Sequence, residues 1–433
     1  MLQILRNAWK IIDLRKKLLY TLLIVFIFRL GSAIPVPFLD MTDLAAFAES
    51  LNADGNLLGF MNMLTGDSFS KATLFALSIQ PYINASIIVQ LLAVAIPALQ
   101  RWSKDEGEEG RRKINKLNRL VTLALAVMMA IGYYFTLKSG GIVKYSGNGF
   151  EGWFTGIAIV LSFVAGSSII VWLGELINKK GIGNGISIIL FAGIVSQLPS
   201  AATNLWHNFM EKGIANKILV PVIIVLAVVV VGFIVLMSDA ERRIPVQYAK
   251  RVVGRKQYGG QSSYIPIKVN MSGVMPIIFA SSIVSLPGII ISFFQIESNF
   301  WSKFLSIFNY NTALYAVIYF IFIIIFNYFY VSIQYNPIEM ANNLKRNNGA
   351  IPGYRAGKPT SDYIMKVLSK IILIGALFLG TIAVFPIALG WVAPGMNIAL
   401  GGTTVLIVVG VALETTKTLE SQMMMRHYKG FLE

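Results

Sequence analysis

The chain has 433 residues, 55% of them hydrophobic and 13% charged, with a mean hydropathy of +0.66. A soluble globular protein carries roughly 25% charged residues. Soluble enzyme, secreted module and disordered chain are therefore excluded, and the composition is that of a polytopic membrane protein. The formal net charge of +16 has to sit in the segments between spans, where its distribution sets orientation.

Apolar windows bounded by charges or Gly/Pro/Asn clusters predict ten spans, near 18–34, 72–99, 120–137, 153–177, 186–205, 218–237, 271–294, 313–333, 367–389 and 398–413. The sixth reads ILVPVIIVLAVVVVGFIVLM, uncharged and long enough to cross a hydrocarbon core of about 30 Å. The first run follows a basic segment but continues into Pro35 and Pro37 without a small-residue cleavage site, so it is read as a retained span. With the N-terminus inside, the inner segments hold 29 Lys and Arg and the outer segments six, Arg29 and Lys370 lying within spans. That asymmetry predicts both termini on the cytosolic side.

The predicted interior is nearly free of ionisable groups. Arg29, Glu175 and Lys370 all lie near span ends, where side chains snorkel to the interface. An ion-coupled transporter is expected to place a carboxylate nearer the midplane, although Na⁺ can also be held by backbone carbonyls. Spans two and seven share a pattern. Pro81-Tyr-Ile83-Asn-Ala85-Ser86-Ile-Ile88 matches Pro276-Ile-Ile278-Phe-Ala280-Ser281-Ser-Ile283 at five of eight positions, at a constant offset of 195. These are the second spans of two five-span halves, 1–205 and 206–433. Five being odd, the second half enters the membrane from the opposite side, an inverted repeat.

Residues 56–66, NLLGFMNMLTG, form a helix of about 16 Å at most, too short to cross. Either it re-enters an outer vestibule, where surrounding protein tolerates backbone at membrane depth, or it rests on the outer leaflet. The glycine runs 181–185 and 401–402 follow no strand and carry no P-loop lysine, so close helix packing accounts for them better than phosphate binding. With no cysteine and only His207 and His427, thiolate chemistry and an imidazole metal centre are not expected, and neither is any cofactor.

Two inner loops exceed what connection requires. Segment 238–270 carries seven basic and two acidic residues, and its alternation around Ile244, Val246, Tyr248, Tyr264, Ile265 and Ile267 predicts a hairpin tipped by Gly259-Gly260. Segment 334–366 holds IPGYRAGKP, with Arg355 on a turn-rich tip. Protruding basic loops suit docking of a large partner, either RNA in a large complex or an acidic protein surface.

Ten spans with a short amphipathic segment after the first, together with QPYINASIIVQLL, GIGNGISIILFAGIV, QYAKRVVGRKQYGGQSSYIPIKVNMSGVMPIIFASSI and IPGYRAG in that order, resemble the SecY family across essentially the whole chain. That family provides the large channel subunit of the bacterial protein-translocation complex. The resemblance implies an all-α fold of ten transmembrane helices in two inverted halves around an hourglass pore, hinged near spans five and six. Segment 56–66 would be the plug, through Leu57, Leu58, Phe60, Met61 and Leu64. The constriction would be lined by Ile83, Ile87, Ile186, Leu190, Ile278 and Ile407, with Leu190 standing where the family often has isoleucine.

Spans two, three, seven and eight would form a gate to lipid, with Ser86, Gln90, Thr122, Ser281 and Ser282 holding it through weak interhelical hydrogen bonds. Arg242, Arg243, Lys250, Arg251, Arg255, Lys256 and Arg355 would face the ribosome, with its RNA and proteins, or the SecA ATPase motor; Ala356 replaces a proline common in the family. Further implied partners are the small membrane subunits SecE and SecG, signal peptides and translocating chains, and membrane lipids. A passive protein-conducting channel in the bacterial plasma membrane is the favoured function. A secondary transporter is the alternative, and no catalytic constellation supports an intramembrane enzyme.

Overall fold

The computed structural model describes all residues except 1, 41, 45, 47–61, 63–64, 105–106, 146, 148, 212–213, 249–250, 254–255, 259–261, 295–311, 393–401 and 430–433. The plug residues Leu57, Leu58, Phe60, Met61 and Leu64, and the loop residues Lys250 and Arg255, lie outside the described residues.

The N-terminal part contains α1 (Leu2–Lys10), α2 (Ile12–Gly31), α3 (Gln80–Ala95), α4 (Pro97–Lys104), α5 (Gly107–Ser139), α6 (Phe150–Lys180), α7 (Gly185–Val195) and α8 (Leu198–Glu211). Next come α9 (Ile214–Asp239), α10 (Met275–Phe294), α11 (Ala313–Gln334), α12 (Pro337–Arg346), α13 (Lys358–Val392) and α14 (Gly402–Lys429). A helix overlaps each expected span, and among the described residues six helical stretches are long and apolar enough to cross a membrane. Large apolar side chains such as Phe26, Leu161, Val225 and Val228 stand more than half exposed, as expected of surface that faces lipid.

In the first group, α3 packs on α5, α5 on α6, α6 on α7, and α2 on both α6 and α7. The second group follows the same scheme: α10 packs on α11, α11 on α13, α13 on α14, and α9 on α14. Among the described residues the groups meet along one side where α8 packs on α9 and α14 on both α1 and α7, and again where α10 packs on both α3 and α5. Helices α3 and α10 each begin one residue before their aligned prolines, Pro81 and Pro276. Proline is tolerated there because the first-turn N–H has no intrahelical acceptor to lose.

That proline also corrects the second expected span. Residues 72–79 are turns except Thr73, which bridges to Pro35, and the helix begins only at Gln80. Helix running through Pro81 would lack its donor to residue 77. Instead the chain turns tightly, with Ser78 N on Phe75 O and Gln80 N on Leu77 O, and with positive φ at Asp67, Ala72 and Ser78. This irregular backbone is buried: Ala72, Phe75 and Ile79 are core residues, and the Tyr133 hydroxyl donates to the Phe69 carbonyl. Irregular chain at such depth survives because protein encloses it.

The first long inner loop forms β1 (Glu241–Tyr248), β2 (Arg251–Val253), β3 (Lys256–Tyr258) and β4 (Ser262–Lys268). Strand β1 pairs antiparallel with β4, with Ile244 opposite Ile265, as the alternation predicts. Strand β2 pairs antiparallel with β3, with Val253 opposite Lys256, and the expected tip at Gly259-Gly260 lies outside the described residues. The second loop contributes β5 (Gly349–Ala350), which joins the other edge of β1 in the order β4-β1-β5. Ile244, Val246 and Ile267 under this sheet meet Leu344, Ile351, Ile364 and Leu368 in a separate apolar core.

Candidate functional site

The six aliphatic positions implied for the constriction come from four helices. Ile83 and Ile87 are one turn apart on α3, and Ile186 and Leu190 one turn apart on α7, so each pair shares a helix face. Ile278 is in the first turns of α10, and Ile407 is on α14. Ile83, Ile87, Leu190 and Ile407 are buried, Ile186 and Ile278 half-buried, and all six belong to one apolar cluster. That cluster spans both helix groups.

The start of α7 is held by specific contacts. Asn184 caps it, accepting from Ile186 N at 3.1 Å, and Asn178 of α6 accepts from Gly185 N at 2.7 Å. A Cβ on Gly185 would stand 2.0 Å from the Gly174 carbonyl, so only glycine allows α7 to cross α6 this closely. The glycine run is therefore a packing device that sets where Ile186 and Leu190 point.

Three of the polar residues implied for the gate are buried: Thr122 on α5, and Ser281 and Ser282 on α10. Thr122, Ser281, Ser86 and Gln90 bond within their own helices rather than across the seam. Thr122 Oγ1 donates to Asn118 O at 2.6 Å and Ser281 Oγ to Ile278 O at 2.9 Å, while Gln90 Nε2 donates to Ser86 Oγ at 3.4 Å, each within its own helix. A helical Ser or Thr reaches the carbonyl three or four residues back more readily than a neighbouring helix. Asn84 and Asn118 are also buried, on α3 and α5, and a single asparagine carries no periodic signal by which sequence could assign it to the seam.

Glu175 does not simply snorkel. It binds Arg119 of α5 in a two-pronged pair, Nε–Oε1 at 2.9 Å and Nη2–Oε2 at 2.5 Å, tying α5 to α6. Arg29 likewise turns toward protein, its Nη1 donating to Gly66 O at 3.4 Å, whereas Lys370 is exposed as expected.

On the sheet, Arg242 and Arg243 are exposed. Arg243 Nε donates to Glu241 Oε1 at 2.7 Å, which holds its guanidinium above the ordinary arginine value, and the group lies 4.8 Å from the centre of the Tyr264 ring. Arg251 is in β2 and Lys256 in β3. Arg355 is exposed, and its carbonyl accepts from Thr360 Oγ1 at 2.7 Å at the foot of α13. The joining of β5 to β1 brings the two basic loops onto one platform.

Known proteins resemble this arrangement throughout. A family profile described as SecY matches residues 73–416. Protein translocase subunit SecY of Streptomyces coelicolor is 43% identical over 443 aligned residues, covering all of both chains, and that of Mycobacterium bovis is 38% identical over 448, again covering both in full. Among solved structures, one described as a protein-conducting channel superposes with a TM-score of 0.63 at 19% identity, covering 94% of this chain and 92% of the other. Sec61 in a canine ribosome–channel complex from the endoplasmic reticulum gives 0.60 at 17% identity, with the same coverage. On the full-length identity to these translocase subunits and the shared fold, the chain belongs to the SecY family.

Proposed function

We propose that this chain is a passive protein-conducting channel of the bacterial plasma membrane, which passes unfolded secretory polypeptides outward and releases hydrophobic segments sideways into lipid. The observation that carries the reading is that Ile83, Ile87, Ile186, Leu190, Ile278 and Ile407 share one apolar cluster that spans both helix groups. A polypeptide in transit presents a different side chain at every step, so the constriction cannot bind it specifically. An aliphatic collar adapts in size, grips weakly and, closed, is dry enough to oppose ions.

The repeated packing scheme supports ten membrane helices in two inverted halves, 1–205 and 206–433, around this collar. Contact of α8 with α9, where spans five and six meet, and of α10 with α3 and α5 suits a clam that hinges at the first seam and opens to lipid at the second. Segment 56–66 is the plug in this reading, and solved structures of the same fold include one whose plug domain is described as stabilising the closed channel. The basic platform of Arg242, Arg243, Arg251, Lys256 and Arg355, with Lys250 and Arg255, receives the ribosome or the SecA motor, since no ATPase motif in the chain supplies energy. SecE and SecG complete the membrane complex. Both termini face the cytosol by the positive-inside asymmetry.

Vesicles carrying the complex test this directly. Added motor and ATP are expected to drive a secretory precursor into a protease-protected space. Uptake of small solutes down an ion gradient, without precursor transport, would instead establish secondary transport.

A further inference from the structure

A polar network lies beside the collar and takes no part in it. Gln197, two residues past the end of α7, is buried, and its Nε2 donates to the Asn62 carbonyl at 3.1 Å and to Asp67 Oδ1 at 3.0 Å. Asn62 is also buried; its Nδ2 donates to the same carboxylate oxygen at 3.2 Å, and its Oδ1 accepts from Ser70 N at 2.9 Å. Thr65 Oγ1 donates to Asn62 O at 3.1 Å and accepts from Phe69 N at 3.2 Å. Between them the chain passes Gly66 at φ +67°, where a Cβ would stand 2.6 Å from Gly193 O and 2.8 Å from Ser196 Oγ of the α7 end. Arg29 of α2 holds the outer side of the same turn.

We propose that Gln197 and Asp67 are positioning residues, a clasp that fixes the outer-side end of segment 56–66 to α7 and so keeps the idle channel shut. The inference rests on the plug reading above and deepens it. Helix α7 is 11 residues, about 16 Å, and carries Ile186 in its first turn, Leu190 at its middle and the clasp just past its end. Plug and collar are thereby referred to one rigid rod. The bonds are directional and one acceptor is a carboxylate, so they define a single docked position, and charge assistance makes them the strong kind. An apolar contact of similar area would let the segment slide.

The test measures resting ion conductance of the full complex in planar bilayers. Gln197→Glu keeps size and shape but places two carboxylates face to face, and it is expected to raise resting conductance about tenfold, the shift that follows loss of a charge-assisted hydrogen bond. Gln197→Leu should leak less than Gln197→Glu. The double variant Asp67→Asn/Gln197→Glu, in which asparagine becomes the donor, should recover most of the seal. A role in packing alone predicts the reverse, with Gln197→Glu silent and no rescue.

Deletion of 57–64 is the control. If the deletion leaks and Gln197→Glu does not, the clasp is overturned and the channel reading stands. If the deletion stays tight, the plug reading fails and the clasp with it. Gln197→Glu should still transport precursor; loss of transport and closure together would make Gln197 a folding residue and overturn the proposal.

Discussion

The proposed collar and the sheet of the long loops are both apolar at their centres, yet they are assembled in opposite ways. The residues proposed for the collar arrive from α3, α7, α10 and α14 with aliphatic side chains alone, and among the described residues no backbone hydrogen bond crosses between these helices. In the sheet, β1 is paired on both edges, its register fixed residue by residue, and Ile244 and Val246 are locked beneath it. Contacts without directional bonds can separate and reform around cargo of any shape. Contacts bolted to a hydrogen-bonded ladder cannot, and they present Arg242 and Arg243 in fixed positions instead. On the proposed function, one region yields and the other is recognised.

The largest effect is expected where polarity enters the yielding region. Replacing Ile83 and Ile278 together by Asn buries two amides with no ready partner, each costing about 1–3 kcal/mol in the closed state. Resting conductance in a planar bilayer should rise at least about tenfold while transport of precursor persists. Unchanged conductance would remove these two residues from the constriction and dissolve the contrast. In the ladder-built region Ile244→Ala leaves a cavity among Val246, Ile267, Leu344 and Ile364, with an expected cost of about 2–5 kcal/mol. The sheet should lose hydrogen-exchange protection and motor-driven transport should fall, while the bilayer stays tight. A leak in this variant would mean that sheet and collar are mechanically one body.

Sequence reasoning reached these two regions unequally. Apolar runs, the prolines 195 residues apart and the period-two alternation of 241–248 are local signals, and helices and strands stand where they point. Residues 72–79 read as membrane helix because they are apolar, but apolarity reports burial rather than conformation, and Pro81 and the positive φ of Ala72 and Ser78 decide otherwise. Strand β5 is two residues long and has no pattern to read. The Gln197–Asp67 and Arg119–Glu175 bonds join residues 130 and 56 positions apart, and in one sequence nothing marks such partners.

Charge reversal at Arg355 gives the smallest structural effect and the sharpest separation of the two regions. The side chain is exposed, and the bond that anchors this tip, from Thr360 Oγ1, goes to the Arg355 backbone carbonyl, which any residue keeps. Arg355→Glu is therefore expected to change stability by no more than about 0.5 kcal/mol and to leave resting conductance at the parent value. What changes is the field of the platform, which loses one positive charge and gains a negative one beside the turn that follows β5. Motor-driven transport should fall several-fold, and the deficit should shrink as salt rises, because exposed charges are screened over about 8–10 Å at physiological ionic strength. A salt-independent deficit would place Arg355 in a desolvated contact with its partner, and no deficit at all would remove it from the docking face.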